Sequence, residues 1–413
     1  MAGQRTCGAA PSRVPLPVAS FSVRFLGCKV SYSDAQEIRE RLLRDGHAET
    51  DLAADVAIVN ACCVTHEAVR KSRRAAARAA RSHARVFVTG CGANLDAQGF
   101  AGLPSHVTVV RGRSEATPDL VADAVGPIGC VQADARIDRV RAFVKVQDGC
   151  SFSCSFCVVP LVRGESRSRP AAAVLGEIRR RVAQGHREIV LTGINLGCYR
   201  DRAAGYTLAR LISEAGNLAG VARLRLSSIE VNHVGPELIA AIRDTPAVSR
   251  HLHVPLQSGD DGVLATMRRR YSADTFLRRV GEAEGFNVTS DVIVGFPGED
   301  ERAFGRTLDV IERAGITKVH VFPYSPRPGT QTEAADTVPP EVKKERSARV
   351  REASRVACRA HWREKLGRDD LVLVDRPGRG YGDDYSPWLV NGPPGEFVRA
   401  RAHAVTEEGI LAA

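Results

Sequence analysis

The sequence lacks any apolar run that approaches the roughly 18 residues of a membrane-spanning helix. Its first 20 residues also contain no continuous apolar segment of signal-peptide length. We therefore expect no membrane anchor, a short disordered leader over residues 1–20 and a cytoplasmic location. The chain is 413 residues long and 44% hydrophobic, which is enough for two or three domains with substantial cores.

A disulfide framework is also not expected. The chain contains eleven cysteines but shows no sign of export, and the cytosol keeps thiols reduced. Thiolate ligands are the better explanation for so many cysteines.

Three cysteines, Cys150, Cys154 and Cys157, fall within the stretch GCSFSCSFC. No second cysteine pair or histidine pair follows at the distance usual for a structural zinc site. A cubane iron–sulfur cluster held by three thiolates would keep its fourth iron open for a ligand. The spacing therefore favours a cluster that binds something, with an incomplete zinc site or core cysteines without ligands as the alternatives.

Residues 21–126 alternate strand-like and helix-like segments, which predicts a doubly wound parallel sheet. Cys28, Cys62 and Cys91 each follow one of the predicted strands. The carboxyl ends of such strands form a ligand crevice, so these thiols are expected at one edge as a second three-cysteine site. Buried cysteines that act as small hydrophobic residues are the alternative. Cys63 adjoins Cys62, and adjacent residues near a strand end point in opposite directions, so only one of the two is expected to face the crevice.

The first helix of this region is predicted over SDAQEIRERLLRDGH. Ser33 and Gln36 have the spacing of a capping box at its start, and Gly46 lies where a helix commonly ends.

Residues 136–366 contain six further strand-like segments with helix-like segments between them and a final helical connector. This order predicts a partial (β/α)6 barrel, with GCSFSCSFC in the loop after its first strand, at the catalytic end. His251 and His253 alternate in one strand and are interpreted as satisfied core or barrel-facing histidines, with a role as ligands as the alternative. Arg268–Arg270 is interpreted as a solvated or RNA-facing helix end.

Residues 367–413 predict a small β-barrel. The segment EFVRARAHAV alternates strictly, so Arg399 and Arg401 share one face. Arginines on a small barrel, together with the net charge of +10, favour contact with the phosphates of a nucleic acid. A solvated polar face, or an arginine-rich composition caused by genomic nucleotide bias, is the alternative.

The segment KVQDGCSFSCSFCVVPLVRGESRSRP resembles the signature of the radical S-adenosylmethionine methylthiotransferases. LGCKV, VNACCVT and VTGC are similar to the three auxiliary-cluster motifs of that family, and the resemblance extends from about residue 21 to the end of the chain. It implies an α/β protein with an N-terminal methylthiotransferase domain, a radical barrel and a TRAM-like RNA-binding domain, within the boundaries given above.

The resemblance also implies two [4Fe–4S] clusters and S-adenosyl-L-methionine as cofactors. The implied ligands of the radical cluster are Cys150, Cys154 and Cys157. The implied ligands of the auxiliary cluster are Cys28, Cys62 and Cys91. The implied contacts to S-adenosylmethionine are Thr192, Gly193, Gln257, Gly295 and Pro297, for which plain barrel packing is the alternative. No residue is implied as an acid–base catalyst.

LGCKV, KVQDGC and HVFPYSPRPGT most resemble the members that modify N6-threonylcarbamoyladenosine in tRNA. The implied reaction places a methylthio group on C2 of that base in the anticodon loop, with Arg399, Arg401 and the basic helix Arg70–Arg81 as RNA contacts. The implied partners include an electron donor such as flavodoxin or ferredoxin, but no membrane and no DNA. The alternatives are isopentenyladenosine in tRNA, a ribosomal protein, and a non-catalytic metal-cluster RNA-binding protein.

Overall fold

The computed structural model describes residues 20–50, 54–126 and 139–413, which form two compact units. Of the described residues, the first unit contains 20–26, 34–50, 54–61 and 70–126, and the second contains 27–33, 62–69 and 139–413. The predicted leader up to residue 19 lies outside the described residues, as do Cys7 and Cys130.

A five-stranded parallel sheet forms the first unit, as predicted. Its strands are β1 (Ser20–Phe25), β2 (Ala48–Glu49), β3 (Val56–Asn60), β4 (Arg85–Thr89) and β5 (Val107–Val109). The helices along this part of the chain are α1 (Lys29–Arg44), α2 (His66–Ala79), α3 (Cys91–Leu95) and α4 (Thr117–Val125). The spatial order is β2-β1-β3-β4-β5, and every residue of β3 is buried, as is usual for a central parallel strand.

Helix α1 begins four residues before Ser33, so the predicted capping box with Gln36 is wrong. Ser33 Oγ instead donates to the carbonyl oxygen of Lys29 within the helix, at 3.4 Å. The end of the helix is as predicted, because Gly46 follows Arg44 with a φ of 91°, a conformation that glycine adopts without strain.

The second unit contains ten strands before its C-terminal part: β6 (Arg141–Lys145), β7 (Gln147–Asp148), β8 (Arg167–Ser168), β9 (Glu188–Thr192), β10 (Arg200–Asp201), β11 (Tyr206–Thr207), β12 (Arg223–Leu226), β13 (His251–His253), β14 (Asn287–Val294) and β15 (Lys318–Pro323). Two parallel three-stranded sheets, β6-β9-β12 and β13-β14-β15, make up the wall of the predicted partial barrel. A bridge between Ser228 and His253 links them.

Helices alternate with these strands, as the repeated pattern predicts. They are α5 (Val159–Arg163), α6 (Ala171–Ala183), α7 (Leu208–Gly216), α8 (Pro236–Asp244), α9 (Asp261–Thr266), α10 (Ala273–Gly281), α11 (Glu301–Arg313) and the connector α12 (Pro340–Arg363). Within the described ranges, we find no helix that combines the length and the apolar character needed to cross a bilayer.

Strand β14 illustrates how the barrel wall separates two environments. Val288, Val292 and Val294 belong to the large apolar core that contains residues of the surrounding helices. Asp291 and Ile293 line a cavity instead. This alternation follows from the two-residue period of a strand.

The C-terminal part is a small closed barrel with the order β16-β17-β18-β20-β19. Its strands are β16 (Asp369–Arg376), β17 (Arg379–Tyr381), β18 (Pro387–Leu389), β19 (Phe397–Val405) and β20 (Ile410–Ala412). On β19, Arg399 and Arg401 are exposed and Ala400 and Ala402 are buried, as the alternation predicts.

The loop between β17 and β18 packs against the amino ends of the partial-barrel strands. Arg225 donates to the carbonyl oxygen of Gly382 at 2.7 Å, and Arg141 donates to the hydroxyl of Tyr385 at 2.8 Å. The ring of Tyr385 stacks on that of His251, with the centroids 5.2 Å apart. The loop thereby covers the end of the barrel opposite to GCSFSCSFC.

Candidate functional site

The loop with Cys150, Cys154 and Cys157 follows β6 and β7 at the carboxyl end of the barrel wall, as predicted. Gly149 opens the loop with a φ of 68°, and a Cβ atom there would lie 2.0 Å from the carbonyl oxygen of Glu165. Only glycine fits this position, because it combines a left-handed conformation with a close approach of two backbone segments.

The three thiols of this loop are partly buried and influence one another. Burial raises the pKa of Cys157 to about 12 and also raises the pKa of Cys150, and the neighbouring thiols add to both increases. Three thiols within eight residues fit a cubane cluster, in which each thiolate binds a different iron.

Arg269 lies beside this loop, and sequence reasoning missed it. Its Nη1 donates to Cys154 Sγ at 3.4 Å, and its Nη2 lies 3.4 Å from Glu230 Oε1. The side chain is only 9% exposed, so the interpretation of Arg268–Arg270 as a solvated helix end is wrong for its central residue. A buried guanidinium at this place would offset the negative charge of Cys154 as the thiolate that the predicted cluster requires.

Thr192 is the last residue of β9, and Gly193 follows it at the same end of the barrel. Thr192 is fully buried, and its Oγ1 has no hydrogen-bond partner among the described residues. Oδ1 of Asn195, three residues further along, is also buried without a partner among them. A Cβ atom at Gly193 would lie 2.9 Å from Gln147 Oε1. Unpartnered buried polar atoms of this kind fit a polar ligand that satisfies them.

A cavity of about 210 Å³ opens beside this loop, and its lining includes Cys157, Gln257, Asp291 and Tyr324. Gln257 has a φ of 63°, which is uncommon for a residue other than glycine. Such strain is found most often at binding sites. A contact of Gln257 with a ligand stays a prediction.

Gly295 and Pro297 follow β14, and neither is among the described residues that line the cavity. Gly295 N donates to Glu299 Oε2 at 2.5 Å, and a Cβ atom at Gly295 would lie 2.3 Å from Cγ of Lys343. The backbone of Gly295 is thus packed against Lys343. A contact of these two residues with a ligand stays a prediction.

Arg327 is a buried cation on the cavity wall and was also missed from the sequence. It is 4% exposed, its Nη2 donates to Ser325 Oγ at 2.7 Å, and its Nε has no partner among the described residues. Burial lowers the pKa of Arg327, while the nearby thiols of Cys63 and Cys62 favour its charged form. An anionic group close to these thiols would stabilise the guanidinium.

Cys28, Cys62 and Cys91 follow three neighbouring strands of the parallel sheet, β1, β3 and β4. They lie two or three residues beyond the strand ends rather than directly after them. Val64 N donates to Cys62 Sγ at 3.5 Å, a contact that favours a thiolate. Cys62 and Cys63 are both buried, so the choice between them stays a prediction.

Two surfaces carry the arginines that were predicted to contact RNA. On β19, exposed Arg401 lies 3.6 Å from Asp369, while Arg399 is exposed beside it. Helix α2 and the turn that follows it expose a row of basic residues: Arg70, Lys71, Arg73, Arg74 and Arg78 on the helix and Arg81 in the turn.

A partial barrel with a three-thiol loop at its carboxyl end defines a radical S-adenosylmethionine protein, and the sequence profile of the Radical SAM superfamily matches residues 144–311. A second profile, uncharacterized protein family UPF0004, matches residues 20–112. The radical S-adenosylmethionine methyltransferase TsrM from Kitasatospora setae, solved with cobalamin and a [4Fe–4S] cluster, has a similar fold. Its TM-score is 0.58 at 14% identity, over 77% of each chain.

Three relatives are named threonylcarbamoyladenosine tRNA methylthiotransferase MtaB. The protein from Thermotoga maritima is 32% identical, over 94% of this chain and 95% of its own. The relative from Chlamydia pneumoniae is 34% identical, over 95% of this chain and 97% of its own. The relative from Bacillus subtilis is 36% identical, over 81% of this chain and 80% of its own. The chain therefore belongs to the MtaB family of radical SAM methylthiotransferases. It is a transferase, and its cofactors are S-adenosylmethionine and two [4Fe–4S] clusters.

Proposed function

We propose that the chain places a methylthio group on C2 of N6-threonylcarbamoyladenosine next to the anticodon of tRNA, in the cytoplasm. The observation that carries this proposal is the similarity to relatives of that name along nearly the whole chain, across both the parallel-sheet and the barrel regions. An apolar N6 substituent, isopentenyl, and a ribosomal protein are the competing substrates.

In this proposal Cys150, Cys154 and Cys157 hold the radical cluster. When bound, this cluster and S-adenosylmethionine supply a 5′-deoxyadenosyl radical by one-electron reduction. Thr192 and Asn195 offer unpartnered polar atoms to the polar end of S-adenosylmethionine. Gly193 adjoins Thr192 and is a further proposed contact, and so are Gln257, Gly295 and Pro297.

Cys28, Cys62 and Cys91 are proposed to hold the auxiliary cluster, which supplies the sulfur of the methylthio group. The buried guanidinium of Arg327 lies close to Cys62 and would offset the negative charge of its metal-bound thiolate. Cys63 has no ligand role in this proposal.

The proposed RNA substrate is the anticodon loop, because a single-stranded loop can turn a base outward towards the barrel. Arg399, Arg401 and the exposed basic face of α2 are the proposed phosphate contacts. A low-potential donor such as flavodoxin or ferredoxin is proposed to supply the electron, and neither DNA nor a membrane is a partner.

The test compares anticodon stem-loop RNAs that carry N6-threonylcarbamoyladenosine or N6-isopentenyladenosine at the same position. The anaerobically reconstituted enzyme is expected to add a methylthio group to the first RNA, as detected by nucleoside mass spectrometry. The Cys154→Ala variant should give no product with either RNA. Product from the isopentenyl RNA alone, or from ribosomal protein alone, would refute the proposed substrate.

A further inference from the structure

Three polar side chains meet on neighbouring strands of the barrel wall: His253 on β13, Asp291 on β14 and His320 on β15. One nitrogen or oxygen atom from each lies within 4.8 Å of the other two. His253 Nε2 is 3.2 Å from Asp291 Oδ1, and the two imidazole rings have centroids 5.6 Å apart.

A chain of hydrogen bonds behind this cluster fixes its orientation. Thr289 Oγ1 lies 2.9 Å from His251 Nε2 and 2.9 Å from His253 Nδ1. A hydroxyl has one proton, so it donates to one ring and accepts from the other. When a neutral His253 donates to Asp291 from Nε2, its Nδ1 accepts from Thr289, which in turn accepts from His251. Burial holds the pKa of His251 well below its usual range, so that this ring is neutral.

One member of the cluster borders the cavity beside the three-thiol loop. Asp291 lines the same cavity as Cys157, a ligand of the radical cluster, and as Gln257. His320 is exposed, and neither of its ring nitrogens has a hydrogen-bond partner among the described residues. Much of the cavity lining around Asp291 is apolar, including Phe156 and Phe322, and the two histidines stand behind that lining on the strands next to β14. Polar groups held in such surroundings favour a ligand that hydrogen-bonds to them.

We infer that His253, Asp291 and His320 form the subsite for the N6 substituent of the substrate adenosine and select a substituent rich in hydrogen-bonding groups. The inference rests on the proposed function, because a threonylcarbamoyl group carries a urea, a hydroxyl and a carboxylate. Asp291 accepts from an N–H or O–H of this group, and His320 donates to one of its oxygens.

An isopentenyl substituent offers no donor or acceptor to this subsite. Its binding would remove water from Asp291 and His320 without replacing the lost hydrogen bonds. A site built around such bonds rejects a ligand that lacks them far more strongly than an apolar pocket rejects one of slightly wrong size. The cluster therefore accounts for a preference between the two tRNA substrates.

The experiment measures the dissociation constants of the reconstituted holoenzyme for two stem-loop RNAs, one with N6-threonylcarbamoyladenosine and one with unmodified adenosine. Their ratio isolates the contribution of the substituent. The wild-type protein is expected to bind the modified RNA about tenfold more tightly, and His320→Leu is expected to bring the ratio close to one. His320→Asn should retain most of the preference, because an amide still donates and accepts hydrogen bonds.

His186→Leu is the matched control, since His186 lies before β9, near the amino ends of the barrel strands, where its Nδ1 is 3.4 Å from the carbonyl oxygen of Val140. Formation of 5′-deoxyadenosine without RNA should be the same in His186→Leu as in the wild-type protein. If His320→Leu keeps the wild-type ratio of the two dissociation constants, the inference is overturned. It is also overturned if His320→Asn loses the preference as fully as His320→Leu, a result that would point to a bound transition-metal ion. If the wild-type protein methylthiolates the modified RNA but binds both RNAs equally tightly, the subsite is overturned and the proposed function stands. Absence of that product in the wild type refutes the proposed function itself.

Discussion

Arg269 donates a hydrogen bond from Nη1 to Sγ of Cys154 across 3.4 Å. The guanidinium is buried and also contacts Glu230, so it has one anionic partner before any cluster is bound. Arg269 lies beside a predicted cluster ligand, and we therefore assign it to the predicted metal site. The run Arg268–Arg270 had suggested a residue on the surface instead.

Replacing Arg269 with glutamine should lower the reduction potential of the radical cluster. The positive charge and the N–H···S hydrogen bond both stabilise the more negative, reduced cluster, and the variant loses the charge. The measurement is a redox titration followed by electron paramagnetic resonance, in a background without the auxiliary cluster. Arg268→Gln is the control, because Arg268 is exposed. Equal potentials in the two variants would contradict the assignment.

Cys62 and Cys63 should differ in their effect on bound iron. Cys62→Ala is expected to lose about four of eight irons, because one cubane would lose a ligand, and Cys63→Ala is expected to keep all of them. Iron analysis of both proteins after anaerobic reconstitution decides the matter. Loss of iron from Cys63→Ala alone would reverse the proposed ligand.

Arg225 should be essential for the packing of the small barrel against the partial barrel. It is 1% exposed, pairs with the buried Glu188 at 2.9 Å and donates to the carbonyl oxygen of Gly382. Arg225→Met should lower the free energy of unfolding by roughly 3 kcal/mol, because it breaks a buried ion pair and removes a donor. Urea denaturation measures this loss. Arg313→Met, which removes an exposed pair with Asp309, should cost about 0.5 kcal/mol or less.

Charge reversal on β19 should weaken RNA binding. Arg399→Glu combined with Arg401→Glu is expected to reduce the slope of log affinity against log salt by about one for each lost phosphate contact. Binding of tRNA is measured over a range of salt concentrations. The control, Arg302→Glu combined with Arg313→Glu on exposed positions of α11, produces the same change of net charge. A slope equal to that of the control would exclude β19 from the RNA interface.

The sequence predicted the elements whose pattern is local. Continuous apolar segments such as VAIVN became buried parallel strands, and the cysteines after them lie at neighbouring strand ends. The alternation on β19 was equally readable, because a strand has a period of two. Ser33 was misplaced, because the helix starts at Lys29 and the hydroxyl of Ser33 bonds back to the carbonyl oxygen of that residue.

Contacts between distant segments were out of reach of such patterns. Arg269 and Cys154 are 115 residues apart, and no periodicity connects them. His253 was correctly interpreted as satisfied, but its meeting with His320 depends on the register of three strands. Tyr385, which covers the amino ends of the barrel strands, comes from a loop whose sequence indicates only a turn.

The central claim is tested most directly by nucleoside mass spectrometry of total tRNA from a strain that lacks the gene. We expect 2-methylthio-N6-threonylcarbamoyladenosine to disappear and N6-threonylcarbamoyladenosine to accumulate. Expression of the wild-type chain should restore the modified nucleoside, and expression of Cys154→Ala should not. A tRNA profile that does not change when the gene is removed would contradict the account.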